Sequence, residues 1–192
     1  GTNVTGSSDL NPIGAQLDLI MQFVPNAKTI GTIYNSSEIN SQFQVEILKK
    51  ELARYNVTLV EGTVSSVNDV QQVAQGLIGK IDALYVPTDN IIASAMPVLT
   101  KITTPAKVPV ITGEEGPLHG GGLATVGVDY YELGKIAGNM GADILEGKSK
   151  PADMPIQYQK EFKVKVNEPV LKTLGLQLPE ALKGKAELGD FH

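Results

Sequence analysis

The clearest structural signal in this chain is the stretch Thr29-Ile30-Gly31-Thr32-Ile33-Tyr34. It is rich in β-branched residues and has the length of a buried strand. The segment before it carries apolar residues at helical spacing, namely Ile13, Leu17, Ile20, Met21 and Val24. Pro12 suits the first turn of such a helix. We therefore predict a helix that leads directly into a buried strand.

The alternation of helix and strand continues beyond this stretch. Further strands are predicted at 57–60, 81–86 and 108–112. Helices are predicted from near Ser37, after a cap at Ser66, and over 90–102, the last with inward residues at Ile91, Ala95, Val98 and Ile102. This alternation favours a parallel sheet with right-handed crossovers and helices on both faces. The predicted fold class is α/β, and the predicted strand order is 57–60, 29–34, 81–86 and 108–112.

The pattern changes after Gly116. A fifth strand is predicted at 124–128, and Asp129 can cap the helix that follows it, with Glu132 completing a capping box. A last strand is predicted at 162–166.

Composition limits the function of the chain. Its 192 residues carry a net charge of -5 without a cluster of Lys or Arg, so a nucleic-acid partner is not expected. The 0 cysteines exclude disulfides and thiol catalysis. Neither a metal nor a cofactor is expected, because a single internal histidine without cysteine cannot build a zinc site. No apolar run approaches the ~20 residues of a membrane span.

The sequence offers little support for an enzyme. His119-Gly120-Gly121-Gly122 imitates the oxyanion loop of esterases, but the chain has no G-x-S-x-G elbow to accompany it. The other histidine, His192, is the final residue. Phosphate-binding and dinucleotide-binding glycine motifs are also missing from the sequence. We therefore predict a protein that binds a ligand without converting it.

Polar residues follow the predicted strands at their carboxyl ends. They are Asn35, Ser36 and Ser37 after the first strand, Thr88, Asp89 and Asn90 after the third, and Glu114 and Glu115 after the fourth. Ligands of open α/β sheets bind at this edge, where the strand order reverses. Helix N-termini suit a carboxylate there, and the acidic side chains can hold an ammonium. The predicted ligand is a zwitterion such as a small amino acid, with Asp89 as the strongest candidate for its ammonium.

The same residues allow simpler interpretations. Ser36, Ser37 and Asn90 are also ordinary helix caps, and Glu115 is also typical of a solvated surface residue. Aromatic side chains near the strand ends can pack against an apolar or aromatic ligand, but such residues more often belong to the core or the rim. These aromatic residues are Tyr34, Tyr130 and Tyr131.

Five segments of the sequence resemble one known family. They are Asn3-Val4-Thr5-Gly6, Tyr34-Asn35-Ser36-Ser37-Glu38, Val86-Pro87-Thr88-Asp89-Asn90, Gly113-Glu114-Glu115-Gly116, and the run from Thr125 to Gly134. The family is the type I substrate-binding proteins of ABC importers, in the branch associated with tryptophan and tyrosine uptake. The similarity extends over nearly the whole chain, to about Pro179, and the segments occur in the family's order.

The resemblance implies a type I periplasmic-binding-protein-like fold, in which two Rossmann-like lobes are joined by three crossovers and close on a ligand. Residues 1–12 would be a remnant of the N-terminal lobe with the first crossover, and 13–120 the C-terminal lobe. Residues 121–150 would return to the N-terminal lobe, and 151–192 would cross back and end in a tail. About one domain's worth of sequence, ~100 residues of the N-terminal lobe, would then be absent.

The resemblance also implies a biological role. The protein would lie at the extracellular face of the membrane or in the periplasm and would deliver an amino-acid-like ligand to the membrane subunits of an ABC importer. A lipoprotein signal with an acylated cysteine would have preceded the chain. Asp129, within one of the resembling segments, joins the candidate ligand-binding residues. The alternative is the ligand-sensing effector domain of a repressor-like transcription regulator, which shares the fold and needs a DNA-binding helix-turn-helix upstream.

Overall fold

The computed structural model describes residues 2–191. The chain divides into two compact units, of which the larger comprises Pro12–Gly127 and Lys163–His192 and the smaller comprises Gly1–Asn11 and Val128–Phe162. In chain order the strands and α-helices are β1 (Ser7–Ser8), α1 (Ile13–Phe23), β2 (Thr29–Asn35), α2 (Ile39–Glu51), β3 (Thr58–Val64), α3 (Val70–Leu77), β4 (Ala83–Val86), α4 (Asn90–Thr103), β5 (Val110–Thr112), β6 (Ala124–Gly127), α5 (Tyr130–Leu145), β7 (Gln157–Tyr158), β8 (Lys163–Asn167), α6 (Glu168–Leu174) and β9 (Glu187–Gly189).

A seven-stranded sheet runs through the larger unit in the order β3-β2-β4-β5-β6-β8-β9. The pairs from β3 to β6 are parallel, whereas β8 runs antiparallel to β6. The predicted α/β class and the predicted order of the first four strands are therefore confirmed. Ser66 also caps as predicted, although it does so for a short 3₁₀ helix, Val67–Asp69, that leads into α3.

Helices cover both faces of this sheet. Neighbouring residues of a strand point to opposite faces, so consecutive residues of β4 show which helices pack on each face. Leu84 and Val86 of β4 belong to a core cluster that also contains Ala74 of α3 and Leu99 of α4. Tyr85 lies between Leu84 and Val86 and points to the opposite face. Its hydroxyl donates a 2.7 Å hydrogen bond to the side chain of Gln16 on α1. Helices α3 and α4 thus pack on one face and α1 on the other, which confirms the prediction of helices on both faces.

The inward face of α4 agrees with the predicted one in part. Its buried residues are Ile92, Ala95, Met96, Leu99, Thr100 and Thr103. Of the predicted inward residues, Ala95 is among them, and Ile91 and Ile102 are partly buried and pack against the same core cluster. Val98 is 37% exposed. The segment is apolar on most sides, so residue spacing alone does not select a face. The cap at the start of α4 and its packing against α3 select it instead.

The predicted return segment to the N-terminal lobe, 121–150, included the strand β6. The structure places β6 in the large sheet instead. It pairs with β5 on one side and with β8 on the other, and Ala124 is fully buried. The chain therefore leaves the larger unit after Gly127. The physical reason is strand pairing, because two neighbouring strands satisfy the backbone groups of β6 within the sheet.

The smaller unit contains the two-stranded parallel sheet of β1 and β7 together with α5. Asp129 caps α5 as predicted, since its Oδ1 accepts hydrogen bonds from the N–H groups of Tyr131 and Glu132 at 2.9 and 3.2 Å. The carboxylate of Glu132 pairs with Lys135 instead of closing a capping box. Among the described residues of both units, no helix has the length and apolar character needed to cross a membrane.

The glycine run at 120–122 has a packing role. A Cβ at Gly120 would lie 2.4 Å from the Cβ of Met96 on α4, and Gly121 adopts a φ of 98°. The first contact excludes any side chain, and the second is a left-handed conformation that favours glycine.

We expect Gly120→Ala to destabilise the larger unit by about 1–3 kcal/mol, because the added methyl group forces α4 and the 120–122 segment apart. The matched control is Gly76→Ala in α3, where no atom lies within 4 Å of the added Cβ. Alanine favours the helical conformation, so this variant should gain about 0.5–1 kcal/mol. Denaturant unfolding measures both changes. A Gly120→Ala variant as stable as Gly76→Ala would contradict the packing role.

Candidate functional site

The loops that follow β2, β4 and β5 meet at the carboxyl edge of the large sheet. The N–H of Asn35 donates a 2.6 Å hydrogen bond to Oδ2 of Asp89. The N–H of Gly113 donates to the carbonyl of Val86 at 2.7 Å. A Cβ at Gly113 would lie 2.7 Å from the backbone nitrogen of Thr88, so the close approach of these loops requires glycine. The predicted residues after these three strands are therefore brought to one edge.

Asp89 is buried, with only 4% of its surface exposed, and its carboxylate is already engaged. Oδ2 accepts the N–H of Asn35, and Oδ1 accepts the N–H of Ile92 at 2.9 Å. The expectation of a free carboxylate, ready for a ligand's ammonium, is therefore wrong. Asp89 is the N-cap of α4, and it also ties the end of β2 to the end of β4.

Glu38 places a second carboxylate at the start of α4. It accepts hydrogen bonds from the N–H and the side-chain amide of Asn90, from the side-chain amide of Asn35, and from the N–H of Ile91. Partial burial acts to raise the pKa of Glu38, but the hydrogen bonds from Asn90, Asn35 and Ile91 together outweigh it, so the pKa is lowered. Glu38 is therefore an anion at neutral pH.

These two carboxylates use the backbone donors at the N-terminus of α4. The N–H groups of Asn90 and Ile91 bind Glu38, and that of Ile92 binds Asp89. The predicted use of this helix end for an anionic ligand group therefore finds no support. Helix α2 differs, since it begins without a side-chain cap and follows the exposed residues Ser36 and Ser37.

The backbone of Thr88 is held by side chains of α2. Its carbonyl accepts hydrogen bonds from Asn40 at 2.9 Å and Ser41 at 3.0 Å, and its N–H donates to Gln44 at 3.1 Å. These contacts were not predicted from the sequence. The available signal was that Ser41 and Gln44 are polar residues on the same helical face as the apolar Val45 and Leu48.

Tyr34 is directed away from the carboxyl edge. It is paired in register with Thr63, yet its hydroxyl donates to Glu61, which lies two residues nearer the amino end of β3. Burial and this hydrogen bond raise the pKa of the Tyr34 phenol. The structure therefore does not bring the Tyr34 hydroxyl together with the other candidate residues.

The two glutamates after β5 have different partners. Glu115 forms an ion pair with Lys165 of β8 at 2.6 Å. Glu114 is half-buried, accepts the N–H of Gly116 at 3.0 Å, and forms no ion pair with another described residue. Glu114 is thus the acidic residue of this edge whose charge is not already matched by a lysine or by several backbone donors.

Gln16 of α1 binds the backbone next to the candidate site, and this contact was not predicted. It is fully buried, and its Nε2 donates to the carbonyls of Gly113 and Val126, both at 2.9 Å. The sequence did contain a signal for Gln16. This polar residue lies one turn from both Ile13 and Ile20, on the apolar face of the helix.

Asp129 lies in the smaller unit, where it caps α5 and donates its own N–H to Gln159 at 2.8 Å. Tyr130 and Tyr131, which follow it, are 51% and 75% exposed. The ligand-binding roles predicted for Asp129 and for these tyrosines stay predictions.

The chain has an α/β fold with polar residues at the carboxyl edge of its sheet, and comparison with known proteins identifies its family. The model of the ABC transporter substrate binding protein family matches residues 1–188, and the chain belongs to this family. The chain is 44% identical over 177 residues to a tyrosine-binding protein of Clostridioides difficile, an alignment that covers 92% of this chain and 51% of that protein.

Solved structures agree with this assignment. The ligand-free, open structure of a substrate-binding protein with adhesive properties from Clostridium difficile matches with a TM-score of 0.83 and 42% identity, over 100% of this chain and 64% of that one. An ABC domain from Streptococcus pneumonia, solved in complex with L-Trp, matches with a TM-score of 0.87 and 36% identity, over 96% of this chain and 64% of that one. A putative LacI-family repressor, 18% identical with a TM-score of 0.59, shares the fold alone. The chain spans about half the length of the curated relatives that it matches.

We expect Asp89→Ala to lower the free energy of unfolding by about 1–3 kcal/mol, because two N–H groups lose their buried acceptor. Asp89→Asn should cost less, since its amide oxygen can still serve one of them. Denaturant titration measures both variants. The control is Asp82→Ala at the amino edge, where an exposed carboxylate accepts the N–H groups of Lys28 and Thr29 and water can replace it. Equal losses for Asp82→Ala and Asp89→Ala would contradict the importance of the buried cap.

The stability difference between the parent chain and Glu38→Gln should depend on pH. The folded-state pKa of Glu38 lies below its ordinary value of 4.5, so the carboxylate stabilises the fold above that value. This contribution is lost as the pH falls through the lowered pKa. The variant should therefore be less stable than the parent at pH 7 and should converge with it in acid. Unfolding curves across this range test the prediction, and a difference independent of pH would count against it.

Proposed function

We propose that this chain is the solute-binding part of an ABC import system and binds an aromatic amino acid at the carboxyl edge of its large sheet. The observation that carries the proposal is the carboxylate of Glu114, which lies at this edge with one backbone donor as its partner. Two relatives support the choice of ligand, since one is a tyrosine-binding protein and another was solved with L-Trp.

Glu114 would bind the ammonium group of the ligand. A hydrogen bond between charged groups contributes roughly 1.5–3 kcal/mol. Glu114 can form it without first breaking an ion pair with a described residue. Glu115 would play a smaller part, because Lys165 already neutralises it.

The carboxylate of the ligand would lie near the start of α2. The hydroxyl groups of Ser36 and Ser37 precede this helix, and its first N–H groups are not covered by a side-chain cap. Donors at a helix N-terminus favour an anion. The other candidates, Asn35, Thr88, Asp89 and Asn90, would hold these loops in place through the hydrogen bonds described above.

The family also supports a proposal on partners and location. We propose that the protein acts outside the cytoplasmic membrane, in the periplasm or at the extracellular face, and passes its ligand to the membrane subunits of an importer. A lipid anchor on the complete gene product belongs to the same proposal. The repressor alternative rests on a likeness of fold at 18% identity, which carries no information on function.

Calorimetric titration of the complete gene product with L-tyrosine and L-tryptophan tests the proposal. We expect at least one of them to bind, and Glu114→Gln to weaken that binding by about ten- to a hundredfold, since each tenfold step is ~1.4 kcal/mol. The melting temperature without ligand should change little, because Glu114 contributes one exposed hydrogen bond to the fold.

The matched control is Glu187→Gln, which removes an exposed carboxylate from β9 at the edge of the same sheet. This variant should bind as the parent does. Absence of binding to both amino acids, or equal affinities of the Glu114→Gln variant and the parent, would refute the proposal.

A further inference from the structure

We infer that Gln16 is a positioning residue for ligand binding, which sets the place of Glu114 by bridging the diverging ends of β5 and β6. The inference rests on the proposed function, in which Glu114 binds the ligand. It concerns a buried side chain that lies on a helix and does not itself reach the exposed edge.

The chemistry of its partners determines how the Gln16 amide is oriented. The carbonyls of Gly113 and Val126 can only accept, so the two N–H bonds of Nε2 point to them, at 2.9 Å each. The Oε1 atom then accepts the Tyr85 hydroxyl at 2.7 Å. All of these groups are buried, and every hydrogen-bonding position of the amide except one lone pair is used.

The amide stands where the strand pairing stops. The last paired residues of β5 and β6 are Thr112 and Thr125, and the two carbonyls bound by Gln16 belong to the next residue on each strand. One amide therefore replaces the next rung of the ladder. Pairing between the two strands has ended at this point, and the carbonyls of Gly113 and Val126 share one donor instead.

Hydrogen bonds of Thr125 and Thr112, the last paired residues of β6 and β5, continue from this point to Glu114. The hydroxyl of Thr125 donates to the carbonyl of Thr112 at 2.7 Å, and the hydroxyl of Thr112 donates to the carbonyl of Glu114 at 2.8 Å. The backbone of Glu114 is thus fixed directly, and that of the preceding Gly113 is fixed by Gln16. A carboxylate carried by such a frame loses little conformational freedom when a ligand binds.

The test measures affinity for L-tyrosine and L-tryptophan in the complete gene product. Gln16→Met removes both carbonyl contacts at nearly constant volume, and Tyr85→Phe removes the hydroxyl that orients the amide. Each should weaken binding, Tyr85→Phe by about three- to tenfold, the range expected for coupled neighbours. Tyr85→Phe keeps the test valid if Gln16→Met does not fold.

A double-mutant cycle separates positioning from general stability. If Gln16 acts through Glu114, Tyr85→Phe should change affinity by less than about twofold once Glu114→Gln is present. Asp82→Ala is the control, since it removes backbone hydrogen bonds at the amino edge and should leave affinity unchanged. Equal effects of Tyr85→Phe in both backgrounds would overturn the inference while leaving the proposed function intact.

Hydrogen exchange provides a readout without ligand. Tyr85→Phe should accelerate exchange of the N–H groups in the 113–116 segment, and Asp82→Ala should not. If neither amino acid binds the parent protein, the proposed function fails on its own. Unchanged exchange at 113–116 would then overturn the positioning role as well, and accelerated exchange would retain Gln16 as the residue that holds this segment.

Discussion

The β2–β4 side of the carboxyl edge depends on the buried carboxylate of Asp89. A buried charge is tolerated only where hydrogen bonds replace its water, and here the N–H groups of Asn35 and Ile92 do so. Because these donors come from the end of β2 and the start of α4, the requirement fixes the two segments against each other. Glu38 adds further bonds between the same segments. The β2–β4 side of the edge is therefore held by hydrogen bonds to carboxylates.

The β5–β6 side of the edge is held by neutral groups instead. The amide of Gln16 and the hydroxyls of Thr112 and Thr125 satisfy the carbonyls at which strand pairing ends. A neutral frame leaves the charge of Glu114 without a fixed counterion, whereas a lysine in the same place would have neutralised it, as Lys165 does for Glu115. The two sides thus differ in electrostatics, and under the proposed function the ammonium of the ligand would supply the missing counterion of Glu114.

Much of the fold could be predicted from the sequence because its signals are local. The strand at 29–34, the cap at Ser66 and the collection of polar loops at one edge follow from short patterns. The role of Asp89 could not be predicted, since its decisive partner, Asn35, lies 54 residues away, and a cap and a ligand-binding acid look alike in sequence. The face of α4 was ambiguous because that helix is apolar on most sides. The place of β6 depends on β8, a partner that follows much later in the chain.

That late pairing bears on how the protein can change over evolution. The chain between β6 and β8 leaves the large sheet and forms most of the smaller unit before it returns. For a flexible connection, the entropic cost of closing a loop grows with the logarithm of its length, so that a doubling adds only about 0.6 kcal/mol. Insertions in the connecting segments of Val128–Phe162, outside α5 and β7, should therefore cost the large sheet little, provided that the Ala124–Val166 register is kept. One unit is free to diverge while the strand pairing of the other is preserved.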